Sequence, residues 1–88
     1  MLYYVYMLKT IDGFREKSYV GYTNNLQERI KKHNSNKGAK STRGYKWKLI
    51  FKKKFLSKSE AMIFEYKLKK DKNKRQQLKL KSEKKKLI

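Results

Sequence analysis

The sequence predicts a small α+β domain of three strands, the first two joined as an antiparallel hairpin, with two to three helices. Three observations predict it. Two apolar-aromatic runs, residues 3–8 and 18–22, bracket Asp12-Gly13. Tyr and Val favour strands, and an Asp-Gly pair between two such runs is a hairpin signal. Apolar residues then recur at helical spacing in two later stretches, around Leu26–Ile30 and Ala61–Leu68, with an alternating run at 47–55 between them.

The bulk properties bound the function. Eighty-eight residues make a single domain with no room for a second core. Hydrophobic content is 38%, so the core is modest, and seven Tyr and four Phe supply much of it. The absence of Cys excludes disulfides and thiolate metal sites. No run approaches the roughly 20 apolar residues of a membrane span, and no signal-like segment is present, so a cytoplasmic protein without a membrane partner is expected. Lys and Arg total 26 against seven acids, a net charge of +19. Such a surface attracts polyanions, nucleic acid first. An acidic membrane surface or ribosomal RNA also suits this charge, and the excess of Lys over Arg also suits an AT-rich genome.

In chain order, the first strand is expected at 2–9, the turn at 10–15 and the second strand at 17–22. Alternation sends Tyr4, Tyr6 and Leu8 to one face and Tyr3, Val5 and Met7 to the other. Thr23-Asn24-Asn25 supplies N-cap residues for a helix at 26–33, acidic at its start (Glu28) and basic at its end (Lys31, Lys32). Its inward stripe is Leu26, Arg29, Ile30 and His33, half of it polar. An Arg is expensive to bury without an anion, so this face should meet both the core and an anion-binding cleft.

Residues 34–45 read as a flexible basic loop. Lys37, Lys40, Arg43 and the adjoining Lys46 are candidates for phosphate contacts, with Ser41 and Thr42 between them. A third strand is expected at 47–55, with Trp47, Leu49, Phe51 and Phe55 alternating against lysines and Ile50 breaking the pattern. Ser57 and Glu60 form a capping box for a helix to about residue 70. Its stripe of Ala61, Phe64, Glu65 and Leu68 again includes a charge. From about residue 71 the chain is a Lys-rich tail, with a weak third helix at 74–83 and frayed last residues.

Arg29, His33 and Glu65 are thus polar groups on inward faces, joined by the strand tyrosines Tyr6 and Tyr19. Phosphodiester hydrolysis needs a metal ligand, a base for the attacking water and a cation for the crowded phosphate. Glu65 can hold a hard divalent ion, or else simply pair with Lys69 at i+4. Arg29 can fork onto phosphate. Tyr6 or Tyr19 can take the water's proton if its pKa is lowered, and His33 can assist.

These residues carry a resemblance. Val5-Tyr6 with Tyr4 before it, Tyr19-Val20-Gly21, the helix entry Thr23 to Arg29, His33-Asn34, Lys37-Gly38-Ala39-Lys40, Thr42-Arg43-Gly44, and Ser59-Glu60-Ala61 followed by Glu65-Tyr66 resemble the GIY-YIG nucleases. The likeness is to their small stand-alone bacterial type, related to the N-terminal nuclease domain of an excinuclease, over about residues 2–70. It implies a small three-stranded antiparallel sheet flanked by two to three helices. It also implies hydrolysis of DNA with one Mg²⁺ or Mn²⁺ ion, in repair or recombination, with a protein partner able to supply specificity. Tyr6, Tyr19, Arg29 and His33 are then catalytic and Glu65 holds the metal, the role of base being shared between the tyrosines. Asn73 is the candidate for an Asn that larger relatives carry beyond the Glu. The rival expectation is a non-catalytic nucleic-acid binder on the same fold.

Overall fold

The structure, a computed structural model, describes residues 2–86, and of Lys85 and Lys86 the backbone alone. Strand β1 (Tyr3–Thr10), β2 (Ser18–Thr23), helix α1 (Leu26–Asn34), a 3₁₀ turn (Lys40–Thr42), β3 (Trp47–Phe55), α2 (Lys58–Lys70) and α3 (Lys72–Lys86) follow one another. The sheet is antiparallel with order β2-β1-β3. No helix among the described residues is long and apolar enough to cross a membrane.

The central position of β1 accounts for its composition. A strand covered on both faces is apolar throughout, and Val5, Tyr6, Met7 and Leu8 are all fully buried. Alternation divides them as expected. Val5 and Met7 join Val20, Ala61, Leu68 and Leu78 under α2 and α3. Tyr6 and Leu8 join Trp47 under α1, with Tyr19, Leu26 and Ile30 packed against them. Each fully buried Met or Leu contributes about 1.5–3 kcal/mol relative to exposure.

The hairpin closes where Thr10 N–H donates to the Lys17 carbonyl at 3.0 Å and Lys17 N–H to the Thr10 hydroxyl at 3.1 Å. Gly13, at φ 93°, supplies the left-handed turn residue that its Asp-Gly signal anticipates. β1 and β2 each begin and end one residue later than expected. α1 starts on Asn25, whose side chain accepts from Glu28 N–H, and α2 on Ser57, whose hydroxyl accepts from Glu60 N–H.

Three expectations are corrected. In β3, Met7 pairs with Phe51 but Leu8 pairs with Leu49, so Ile50 is the extra residue of a β-bulge. The bulge flips the strand midway. Trp47 packs under α1, whereas Ile50, Phe51 and Phe55 pack on the opposite face. The segment after α1 carries a 3₁₀ turn and ordered hydrogen bonds rather than being an open loop. Asn34 holds Trp47 through two hydrogen bonds (Nδ2 to the Trp47 carbonyl at 3.1 Å, Trp47 N–H to Oδ1 at 2.6 Å), and Asn36 Oδ1 accepts from Gly44 N–H at 2.8 Å. Finally, α3 is longer than residues 74–83. Asp71 caps it by accepting from Lys74 N–H at 3.0 Å, and Leu78 anchors it in the core. The Lys-rich tail is therefore helical through Lys86, where fraying of the last few residues is expected; residues 87 and 88 lie outside the described residues.

Candidate active site

The site begins with a missing side chain. Gly21 lies opposite Tyr6 in the hairpin register, and a Cβ there would stand 2.6 Å from the Tyr6 hydroxyl. Glycine at this point lets the Tyr6 ring cross from the central strand over β2, the free edge of the sheet. Tyr19, two residues earlier on β2, shares that face, with ring centroids 6.3 Å apart.

Helix α1 brings its polar stripe onto the same spot. His33 is fully buried, its Nε2 lies 2.8 Å from the Tyr6 hydroxyl, and its ring centroid is 4.8 Å from that of Tyr19. Its Nδ1 lies 2.9 Å from the hydroxyl of Thr42, itself fully buried. Burial, reinforced by the nearby Arg29 charge, lowers the His33 pKa to about 4, so the imidazole is neutral at pH 7. Burial likewise pushes the Tyr6 phenol up to about 12, against the pull of Arg29. Arg29, one turn before His33 and half-buried, lies against the hydroxyls of Tyr6 and Tyr19. Its interaction with Tyr6, opposed by burial, raises its pKa. It is a fixed positive charge between two phenols.

Glu65 comes from α2, which packs on the opposite face of the sheet from α1. Its charge is felt at the Tyr6 phenol, where it raises the pKa. Its side chain is 17% exposed, and a carboxylate oxygen lies 3.5 Å from the ammonium of Lys69. Lys69 in turn stands 6.0 Å from the centroid of the Tyr19 ring. A shallow depression of about 290 Å³ lies between Tyr19, Lys69 and Arg75.

The structure thus brings Tyr6, Tyr19, Arg29 and His33 together, with Glu65 near enough for its charge to act on Tyr6. Lys37, Lys40 and Arg43 are exposed on the segment that lies over His33. Lys46 is exposed too, but its ammonium donates to the Asn34 carbonyl at 2.7 Å. Asn73 does not join the group. It is exposed on the first turn of α3, in a separate depression with Tyr66 and Lys70.

Sequence reasoning missed several contributors. Thr42 faces inward to His33 rather than outward to phosphate. Gly38 matters because a Cβ there would stand 2.5 Å from His33 Nδ1. Arg75 donates from Nη1 to the carbonyls of Leu68 and Lys69, tying the start of α3 to the end of α2 beside the cleft. The closeness of a basic residue to a helix C-terminus was the only local signal for Arg75.

The donor set has a definite chemistry. Among the described residues, no three His, Cys, Asp or Glu side chains converge to cage an ion. A single partly exposed carboxylate instead fits a hard divalent cation that takes its remaining oxygens from water and substrate.

Residues 2–79 match the family model described as the GIY-YIG catalytic domain. The chain belongs to the GIY-YIG family. The UPF0213 protein of Oceanobacillus iheyensis is 47% identical over 68 residues, covering 76% of each chain. That of Halalkalibacterium halodurans is 49% identical over 70 residues, or 78% of this chain and 71% of its own. The counterpart from Clostridium perfringens is 50% identical over 68 residues, or 76% and 70%. A solution NMR structure of the UPF0213 protein from Bacillus halodurans aligns with 45% identity over 89% of this chain and 82% of its own, at a TM-score of 0.49. This chain is accordingly a relative of the bacterial UPF0213 GIY-YIG proteins, built on a nuclease fold.

Proposed function

We propose that this GIY-YIG chain is a DNA endonuclease that hydrolyses phosphodiester bonds with one Mg²⁺ or Mn²⁺ ion, acting in repair or recombination. The observation that carries the reading is the cluster of two phenols, a guanidinium and a neutral imidazole, with a carboxylate near enough for its charge to act on one of the phenols. Arg29 binds the scissile phosphate and neutralises charge that builds on its oxygens. Glu65 is the ligand for the divalent ion, which supplies further positive charge to the same phosphate. Tyr6 is protonated at pH 7, so it can accept the attacking water's proton only as its own leaves. His33, neutral and 2.8 Å away, is placed to receive that proton. Tyr19 shares the Arg29 charge and lines the cleft. Lys37, Lys40, Arg43 and Lys46 contact the DNA backbone beyond the cleft.

A second reading has its own observation. The Glu65 carboxylate already pairs with Lys69, as in a solvated i,i+4 helix pair, which suits a non-catalytic nucleic-acid binder. Two measurements separate the readings. The first is cleavage of duplex, single-stranded, flap and junction DNA with Mg²⁺ or Mn²⁺. Activity is expected to vanish in Glu65→Ala and Arg29→Ala, with DNA binding by Glu65→Ala retained. The second is Mn²⁺ titration, in which one site is expected to disappear in Glu65→Gln. Wild-type protein that neither cleaves DNA nor binds Mn²⁺ leaves the binder.

A further inference from the structure

Thr42 is fully buried, and its hydroxyl has two close partners: the Ala39 carbonyl oxygen at 2.7 Å and His33 Nδ1 at 2.9 Å. A hydroxyl has one proton to give, and a carbonyl can only accept. Two oxygens at 2.7 Å with no proton between them would set lone pair against lone pair, and that separation is the ordinary O–H···O length. The Thr42 proton therefore goes to Ala39. What remains for His33 is an oxygen lone pair, so Nδ1 must be the donor. In a neutral imidazole only one nitrogen carries hydrogen, which leaves Nε2 bare and facing Tyr6.

We propose that Thr42 is a positioning residue that selects the Nδ1–H tautomer of His33 and thereby keeps Nε2 ready to receive the Tyr6 proton. The chain of donors runs in one direction, from Tyr6 to His33 to Thr42 to the Ala39 carbonyl. Its far end is held rigidly. Thr42 N–H donates to Ala39 at 3.0 Å, and Trp47 Nε1–H donates to the Thr42 carbonyl at 3.0 Å. Gly38 packs against the ring on this side, where a Cβ would stand 2.5 Å from Nδ1. The low His33 pKa agrees, because the ring is neutral and so has a tautomer to choose.

The consequence for cleavage rests on the endonuclease reading; the tautomer does not. As the water oxygen bonds to phosphorus and the P–O bond to the leaving ester oxygen breaks, the water proton passes to the Tyr6 oxygen and the Tyr6 proton passes to Nε2, while the leaving oxygen departs with its strand and takes a proton from solvent. Tyr6 ends as it began, and His33 becomes an imidazolium whose Nδ1–H stays on Thr42. The opposite tautomer would donate from Nε2 to Tyr6 and block the transfer.

The chain holds one His, so a long-range ¹H–¹⁵N spectrum of the labelled full chain at pH 7 reports this ring alone. The wild type is expected to show Nδ1 protonated and Nε2 bare, and Thr42→Ser to keep that pattern. Thr42→Val is expected to lose it and to cleave on the order of 10²-fold more slowly, with KM little changed and the Ser variant near wild type. A wild-type spectrum with Nε2 protonated overturns the proposal. So does Thr42→Val that keeps both tautomer and rate. If the Val variant does not fold, the wild-type and Ser spectra decide. The stated tautomer in a protein that cuts no DNA upholds the role of Thr42 and ends the endonuclease reading instead.

Discussion

Gly21 and His33 show how much of this molecule depends on single atoms. Gly21 has no positive φ to require glycine; it is needed because the Tyr6 hydroxyl occupies the space of its Cβ. Gly21→Ala is expected to cost about 1–3 kcal/mol, the range for overpacking a filled site, and to displace Tyr6. Denaturant unfolding and DNA cleavage measure the two effects. His33 couples folding to pH. Its folded pKa of about 4 lies below the ordinary 6.5, so between those values the unfolded chain binds more protons. Stability from this group is complete above pH 6.5 and is lost as pH falls toward 4, by about 3 kcal/mol. Urea unfolding across that window, set against His33→Gln, is expected to show the slope in the wild type and a flatter profile in the variant. At this scale, Arg29, His33 and Glu65 could be read from the sequence because a charge on an apolar stripe is a local anomaly. Thr42 could not, because nothing in a Ser-Thr pair says which hydroxyl turns inward.

The elements divide in the same way. Hairpin, α1 and α2 follow from signals a few residues apart: Asp12-Gly13, Asn25 and Ser57. Two features do not. The bulge at Ile50 exists because β3 must serve two cores, Trp47 under α1 and Phe51 under α2. α3 is poor in helix signals and rich in repelling lysines, yet it forms on a cap, an anchor and a tie: Asp71, Leu78 and Arg75. Asp71→Ala is expected to cost about 1 kcal/mol, the usual worth of an N-cap. The loss should appear as faster amide hydrogen exchange in α3 than in the sheet. The same change removes one of the few acids near a lysine-rich turn, so the loss should grow at low salt.

The whole molecule is a sheet with helices on both faces and a candidate site at one edge. Its charge of +19 surrounds that edge with attraction for a polyanion. DNA binding by the cleavage-deficient Glu65→Gln protein is expected to fall by on the order of 10³-fold or more between 50 and 200 mM salt, if six or more phosphates are contacted. Fluorescence anisotropy at several salt concentrations gives the slope. Substituting Lys40 and Arg43 together by Gln is expected to reduce it by about two contacts.

Composition, periodicity, caps and turn residues by themselves determined the α+β class, the order of the elements and the polar side chains that stand on inward faces. These are short-range properties, set by backbone sterics and by neighbours within one helical turn or one strand repeat. Only the folded chain decided that the Glu65 charge acts on Tyr6, that Ile50 is the odd residue of a bulge, and that Thr42 holds the far side of His33. Each of those depends on which distant atoms fill the same space, and spacing along one chain carries no record of that.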